Sequence, residues 1–150
     1  MDAALPARLA RDPAFAAALA AGPVVWIAAA LALGAQPNPA WALADPLRYV
    51  GLAVAWPILE EWLFRGVIQP AAARTVWGAR AAWGVTTANA ATSMLFAVAH
   101  LVALAPGWAA AVFVPSLVFG YFRDRYNSFA PSAALHVFYN AGWFLAIAPL

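Results

Sequence analysis

From Ala81 to Phe122 the chain carries no Asp, Glu, Lys or Arg, and a second such stretch runs from Pro13 to Ala44. Uncharged runs of this length admit few folds. A membrane-spanning helix needs about 20 apolar residues at about 1.5 Å of rise each, and both stretches exceed that. Composition agrees, with 66% hydrophobic and 9% charged residues; a soluble domain has about 45–50% and about 25%. The expected fold class is all-α, a polytopic transmembrane helix bundle.

Chain punctuation divides this bundle into about five spans. Residues 15–33 form the first. Their apolar stretch is longer than the roughly 7–15 residues of a signal-peptide core, so the helix is expected to be retained. The turn Gln36-Pro37-Asn38-Pro39 precedes a second span at about 47–68. The segment from Arg74 to Trp83 mixes Arg, Trp and Gly, as an interfacial connection does. Pro106-Gly107 splits the long uncharged run into two helices. Arg123-Asp124-Arg125 makes the next connection, and Pro131 opens a final helix ending near Pro149. No internal repeat is visible, so residues 1–150 read as a single domain.

The charges orient this arrangement. There is no lysine, and the net charge of +2 comes from arginines near the ends of apolar runs. With five spans, Arg8, Arg11, Arg74, Arg80, Arg123 and Arg125 share one side and Arg48 takes the other. The positive-inside rule then puts the N-terminus in the cytoplasm. Such a pattern points to the lipid bilayer as partner and not to nucleic acid. The absence of cysteine excludes disulfides, thiolate catalysis and thiolate metal sites.

Against this background the polar residues inside the spans stand out. The only glutamates, Glu60 and Glu61, are adjacent, and Arg65 follows four residues after Glu61. An acid near the bilayer centre costs on the order of 2.5–3.5 kcal/mol, so an ionisable residue there is a functional candidate by default. Glu61 and Arg65 share a helix face and can pair, which is a sufficient structural role. Glu60 points about 100° away and has no such explanation in the pattern. The two histidines, His100 and His136, both lie in apolar helices. Asn89, Thr92 and Ser93 extend a polar stripe upstream of His100, expected to face the bundle interior because lipid offers no hydrogen bonds. Asn140 lies four residues after His136, on the same face.

A carboxylate and an imidazole can together hold and deprotonate a water. A second imidazole and an amide can stabilise the oxyanion formed when water attacks a peptide carbonyl. The aspartates lie at span edges, no HExxH motif is present, and the set suits metal-free peptide hydrolysis. Two other readings use the same residues: His100 and His136 as axial haem ligands, or Glu60 and both histidines around a metal.

In order along the chain stand Glu60-Glu61-Trp62-Leu63-Phe64-Arg65 (EExxxR), Phe96-Ala97-Val98-Ala99-His100 (FxxxH) and His136-Val137-Phe138-Tyr139-Asn140 (HxxxN). Together they resemble the three motifs of the CPBP family of intramembrane glutamic proteases. That family includes the type II CAAX prenyl proteases and bacteriocin-processing or immunity proteins. Gly120–Arg123 and Ser128–Pro131 also resemble the family's run, and the likeness covers roughly Tyr49 to Gly142. It implies an endopeptidase core at residues 47–142, with no cofactor and no metal. Glu60 would activate water with help from His100, His136 and Asn140 would form the oxyanion site, and Glu61 and Arg65 would support. The implied partner is a membrane-associated peptide or protein in a bacterial inner membrane. The chain's small size is similar to that of bacterial members associated with JDVT-CTERM tails, which implies a substrate with a C-terminal sorting signal. No residue here reads a prenyl group. A non-enzymatic immunity or scaffold protein that keeps the protease fold is the alternative. In a five-span drawing Glu60 and His136 fall toward the cytoplasmic half and His100 lies deeper.

Overall fold

The computed structural model describes residues 4–147, and the expected helix end near Pro149 lies outside them. The described chain is helical almost throughout, as its apolar patterning predicts. Helices α1 (Leu5–Ala10) and α2 (Pro13–Leu33) come first, then α3 (Ala40–Ala44) and α4 (Pro46–Val50). A π-helical segment, Gly51–Ala55, leads into α5 (Trp56–Glu61), and a second, Trp62–Ile68, leads into α6 (Gln69–Ala73). Two short strands, β1 (Ala81–Ala82) and β2 (Val85–Thr86), form an antiparallel hairpin. Helix α7 (Thr87–Ala99) continues as a 3-10 turn, His100–Val102. Helices α8 (Pro106–Ala111), α9 (Phe113–Tyr126) and α10 (Ala130–Ala146) complete the chain.

Local chemistry sets several ends. Asp12 caps α2 by accepting from Ala14 N at 3.0 Å, with Pro13 in the first turn. Thr86 caps α7 by accepting from Asn89 N at 3.0 Å. Gly34 closes α2 at φ 63°, a left-handed conformation open to glycine at little cost. The hairpin was not anticipated. Its two-residue turn is Trp83-Gly84, both with positive φ, as right-twisted hairpin turns require. Glycine suits that turn but tryptophan does not announce it.

Among the described residues, Pro13–Leu33 is the one helix long and apolar enough to cross a membrane alone, and Thr87–Val102 is a shorter apolar helix. Of the other segments expected to span, the last is one continuous helix, α10, of 17 residues, and the others are helical but divided. Prolines and wide π turns interrupt the path from Pro46 to Ala73, and α8 and α9 meet at Val112.

The chain forms two compact units, one drawn from Met1–Ile58 and Ala134–Leu150, the other from Leu59–Ala133. In the first, α2 packs on α10 through a notch of small residues. The ring of Trp26 fills the space that a side chain on Gly142 would occupy, and a Cβ on Gly22 would lie 2.9 Å from Phe138. The Trp26 indole donates to Tyr139 O at 3.1 Å, and the Tyr139 hydroxyl donates to Ala18 O at 2.7 Å. Trp41 reaches the same helix, donating to Phe144 O at 2.7 Å. Small residues that let helices approach are the usual basis of packing where lipid supplies no hydrophobic drive. In a solvent-exposed helix Gly→Ala adds roughly 1 kcal/mol of stability. Here the sign should reverse: Gly142→Ala is expected to cost about 1–3 kcal/mol through overpacking. Denaturant unfolding in detergent micelles measures it, and a gain in stability would contradict the notch.

In the second unit α7 packs on α9 and on α6. Its buried face carries Asn89, Thr92, Ser93 and Phe96, all at most 2% exposed, so the polar stripe does face inward.

Candidate active site

The paired glutamates sit at the end of α5, between the two π segments. Each wide turn ends at a proline. Trp56 N bonds Gly51 O and Gln69 N bonds Phe64 O, five residues back in each case. The next residues are Pro57 and Pro70. A proline has no N–H to donate and its ring collides with the carbonyl four residues earlier, which a π turn relieves. Such turns are frequent at functional sites.

The two carboxylates have different surroundings. Glu61 is fully buried, and its Oε2 lies 3.4 Å from Nε of Arg65, itself 1% exposed. Arg65 Nη2 donates to Ser116 O at 2.7 Å and to Ser116 Oγ at 2.6 Å. The arginine thus ties the glutamate helix to α9. Glu60, by contrast, is half-buried.

Phe96 joins the first motif to the second. Its ring meets Phe64 edge-on, with centroids 5.0 Å apart, and the Arg65 guanidinium carbon lies 5.1 Å from its centre. A cation over an aromatic face is stabilised by the ring's quadrupole. The His100 ring lies 4.4 Å from Phe96 on the same helix. His100 Nδ1 is 2.8 Å from Phe96 O. A carbonyl only accepts, so Nδ1 carries the hydrogen and the neutral ring keeps its lone pair on Nε2. That nitrogen can accept a hydrogen bond from water.

The third motif belongs to the first unit. His136 is 5% exposed. Asn140 Nδ2 donates to Leu52 O at 3.2 Å. Five residues after Leu52 stands Pro57, which cannot donate the N–H that the π register asks for. The amide of Asn140 takes its place, and one Nδ2 hydrogen remains for another acceptor. Glu60, Glu61, Arg65 and His100 belong to the second unit.

Further polar residues support the motifs, and of these Gln69, Thr86 and Ser116 were not singled out from the sequence. Gln69 is fully buried and donates to Gly120 O and Asp124 Oδ1, both at 2.9 Å. Asp124 Oδ2 accepts from Thr86 Oγ1 at 2.7 Å, so this aspartate at a span edge staples α6, β2 and α9. Asn89 Nδ2 donates to Leu117 O and its Oδ1 accepts from Ser93, both at 3.0 Å. The Asn89 amide fits only because Gly120 has no side chain. Gln69 continues the series Glu61, Arg65, Gln69 at four-residue intervals, the one signal that marked it. Ser116 had none. Among the described residues, no three His, Asp or Glu side chains gather as a metal site needs.

The fold is all-helical, and it keeps an acid–arginine pair and a hydrogen-bonded histidine within apolar helices. The family model described as Type II CAAX prenyl endopeptidase Rce1-like matches residues 41–142, and the chain belongs to that family. The family is membrane-embedded, and membership makes this protein a CAAX protease-type endopeptidase, a hydrolase. No curated protein and no solved structure matches the chain.

Proposed function

We propose that the protein is an intramembrane glutamic endopeptidase in which Glu60 is the general base. The carrying observation is the difference between the two glutamates. Glu61 is fully buried in its ion pair with Arg65, whereas the adjacent Glu60 is half-buried and so closer to where water and substrate can reach. Glu60 takes a proton from water as the water oxygen bonds to the scissile carbonyl carbon. The lone pair of His100 Nε2 accepts a hydrogen bond from the water's other O–H, which stays on the oxygen. His136 and Asn140 donate to the oxyanion. As the C–N bond breaks, Glu60 returns the proton to the departing amine and its carboxylate is restored. The order of the three motifs within the matched region supports this division of roles.

Five spans with a cytoplasmic N-terminus in a bacterial inner membrane agree with the arginine distribution. The proposed substrate is a membrane-associated peptide or protein that carries a C-terminal sorting signal, as in the JDVT-CTERM subset. Mass spectrometry of membrane-protein termini, with wild type and with Glu60→Ala, tests the activity and finds the substrate together. Termini that vanish in the variant are expected. An identical set of termini would instead favour an immunity or scaffold protein, a reading suited to the structural bonds that His100 and Asn140 already make.

A further inference from the structure

Leaving aside the atoms of the Glu61–Arg65 ion pair, three buried side-chain atoms in the second unit have no hydrogen-bond partner among the described residues: Arg65 Nη1, Gln69 Oε1 and Thr92 Oγ1. Their residues are at most 2% exposed. Inside apolar helices an unsatisfied donor or acceptor is costly, and buried polar groups are nearly always satisfied by protein or by ordered water.

Contacts with α9 place the three along one turn of the packed helices. Arg65 and Gln69 are one turn apart on the same face. Arg65 bonds Ser116, and Gln69 bonds Gly120 O, one turn further along α9. On α7, Asn89 packs against Gly120 and bonds Leu117 O, whereas Phe96 lies beneath Arg65. Thr92 is three residues after Asn89 and four before Phe96, so it stands on the same buried face between the levels of Gln69 and Arg65.

The chemistry of the three atoms selects the occupant. A guanidinium Nη only donates, an amide oxygen only accepts, and a hydroxyl does either. An anion would be repelled by Gln69 Oε1 and a cation by Arg65. A neutral molecule that both donates and accepts satisfies all three, and two to four polar partners are what a buried water requires. We propose that one structural water is held between Arg65 Nη1, Gln69 Oε1 and Thr92 Oγ1. It accepts from Arg65, donates to Gln69 and exchanges a hydrogen bond with Thr92. It gives the guanidinium a second fixed anchor besides Ser116, so the water helps to hold Arg65 against Glu61.

An experimental structure in lipid, at a resolution that shows ordered water, tests the site directly. Density within hydrogen-bond distance of all three atoms is expected. A direct Arg65 Nη1–Gln69 Oε1 bond with no density between them would overturn it. Unfolding of four proteins gives an independent reading: wild type, Thr92→Val, Gln69→Met and the double variant. Thr92→Val removes the hydroxyl at nearly constant shape, and Thr92→Ser should restore the midpoint. Because both single substitutions break the same bridge, the double variant should lose less than the sum of the two. Strict additivity, or an unchanged midpoint in Thr92→Val, would overturn the proposal.

Discussion

Glu60→Gln should lower peptide cleavage in lipid by about 10²–10⁴-fold, the usual contribution of a general base. The change replaces one carboxylate oxygen with an amide nitrogen at nearly constant volume. Glu60 is half-buried where Glu61 is fully buried, so the unfolding midpoint should move less than it does in Glu61→Gln. Glu61→Gln should behave in the opposite sense. It removes the charge facing Arg65 at a fully buried position, and its main effect should be on stability. A purified Glu60→Gln protein that cleaves at the wild-type rate, with wild-type stability, would end the general-base assignment.

The second large effect is expected at Arg65. Arg65→Met should destabilise the protein by about 3–5 kcal/mol, the range measured when one partner of a buried ion pair is removed. The loss has two sources. The Glu61 carboxylate remains at 0% exposure without its cation, and Ser116 O and Oγ lose the donor that binds them at 2.7 and 2.6 Å. The buried charge is the larger source, because desolvating an uncompensated ion costs more than losing a hydrogen bond. Removing that charge as well should therefore help: the double variant Arg65→Met with Glu61→Leu should recover much of the loss. Reversible unfolding in bicelles measures all three proteins. A double variant as unstable as Arg65→Met alone would show that the Ser116 contacts, and not the ion pair, hold this part of the second unit.

Glu61 and Arg65 were legible as a pair because an α-helix repeats every 3.6 residues and their spacing is local. The inward polar stripe of Asn89, Thr92 and Ser93 was legible for the same reason. Its partners were not. Arg65 and Ser116 are 51 residues apart in sequence, and a serine in an apolar helix carries no mark of what it will accept. Asn140 and Leu52 are 88 apart, and their bond exists because Pro57 withholds a backbone donor from one helix while another helix supplies an amide. Phe96 looked like the apolar member of a motif, but its ring touches Phe64, Arg65 and His100. The Trp83-Gly84 hairpin escaped because tryptophan rarely adopts a positive φ.

The sequence by itself determined the helical class, the long apolar helix at Pro13–Leu33, the inward polar face of α7 and the pairing of Glu61 with Arg65. Each follows from a run of uncharged residues or from spacing along one helix, where neighbours in sequence are neighbours in space. Only the tertiary structure decided which backbone carbonyls Arg65, Gln69, Asn89 and Asn140 would satisfy. Those pairings join segments far apart in the chain. They are set by prolines that free a carbonyl, glycines that open room for an amide, and an apolar interior in which every donor must find an acceptor.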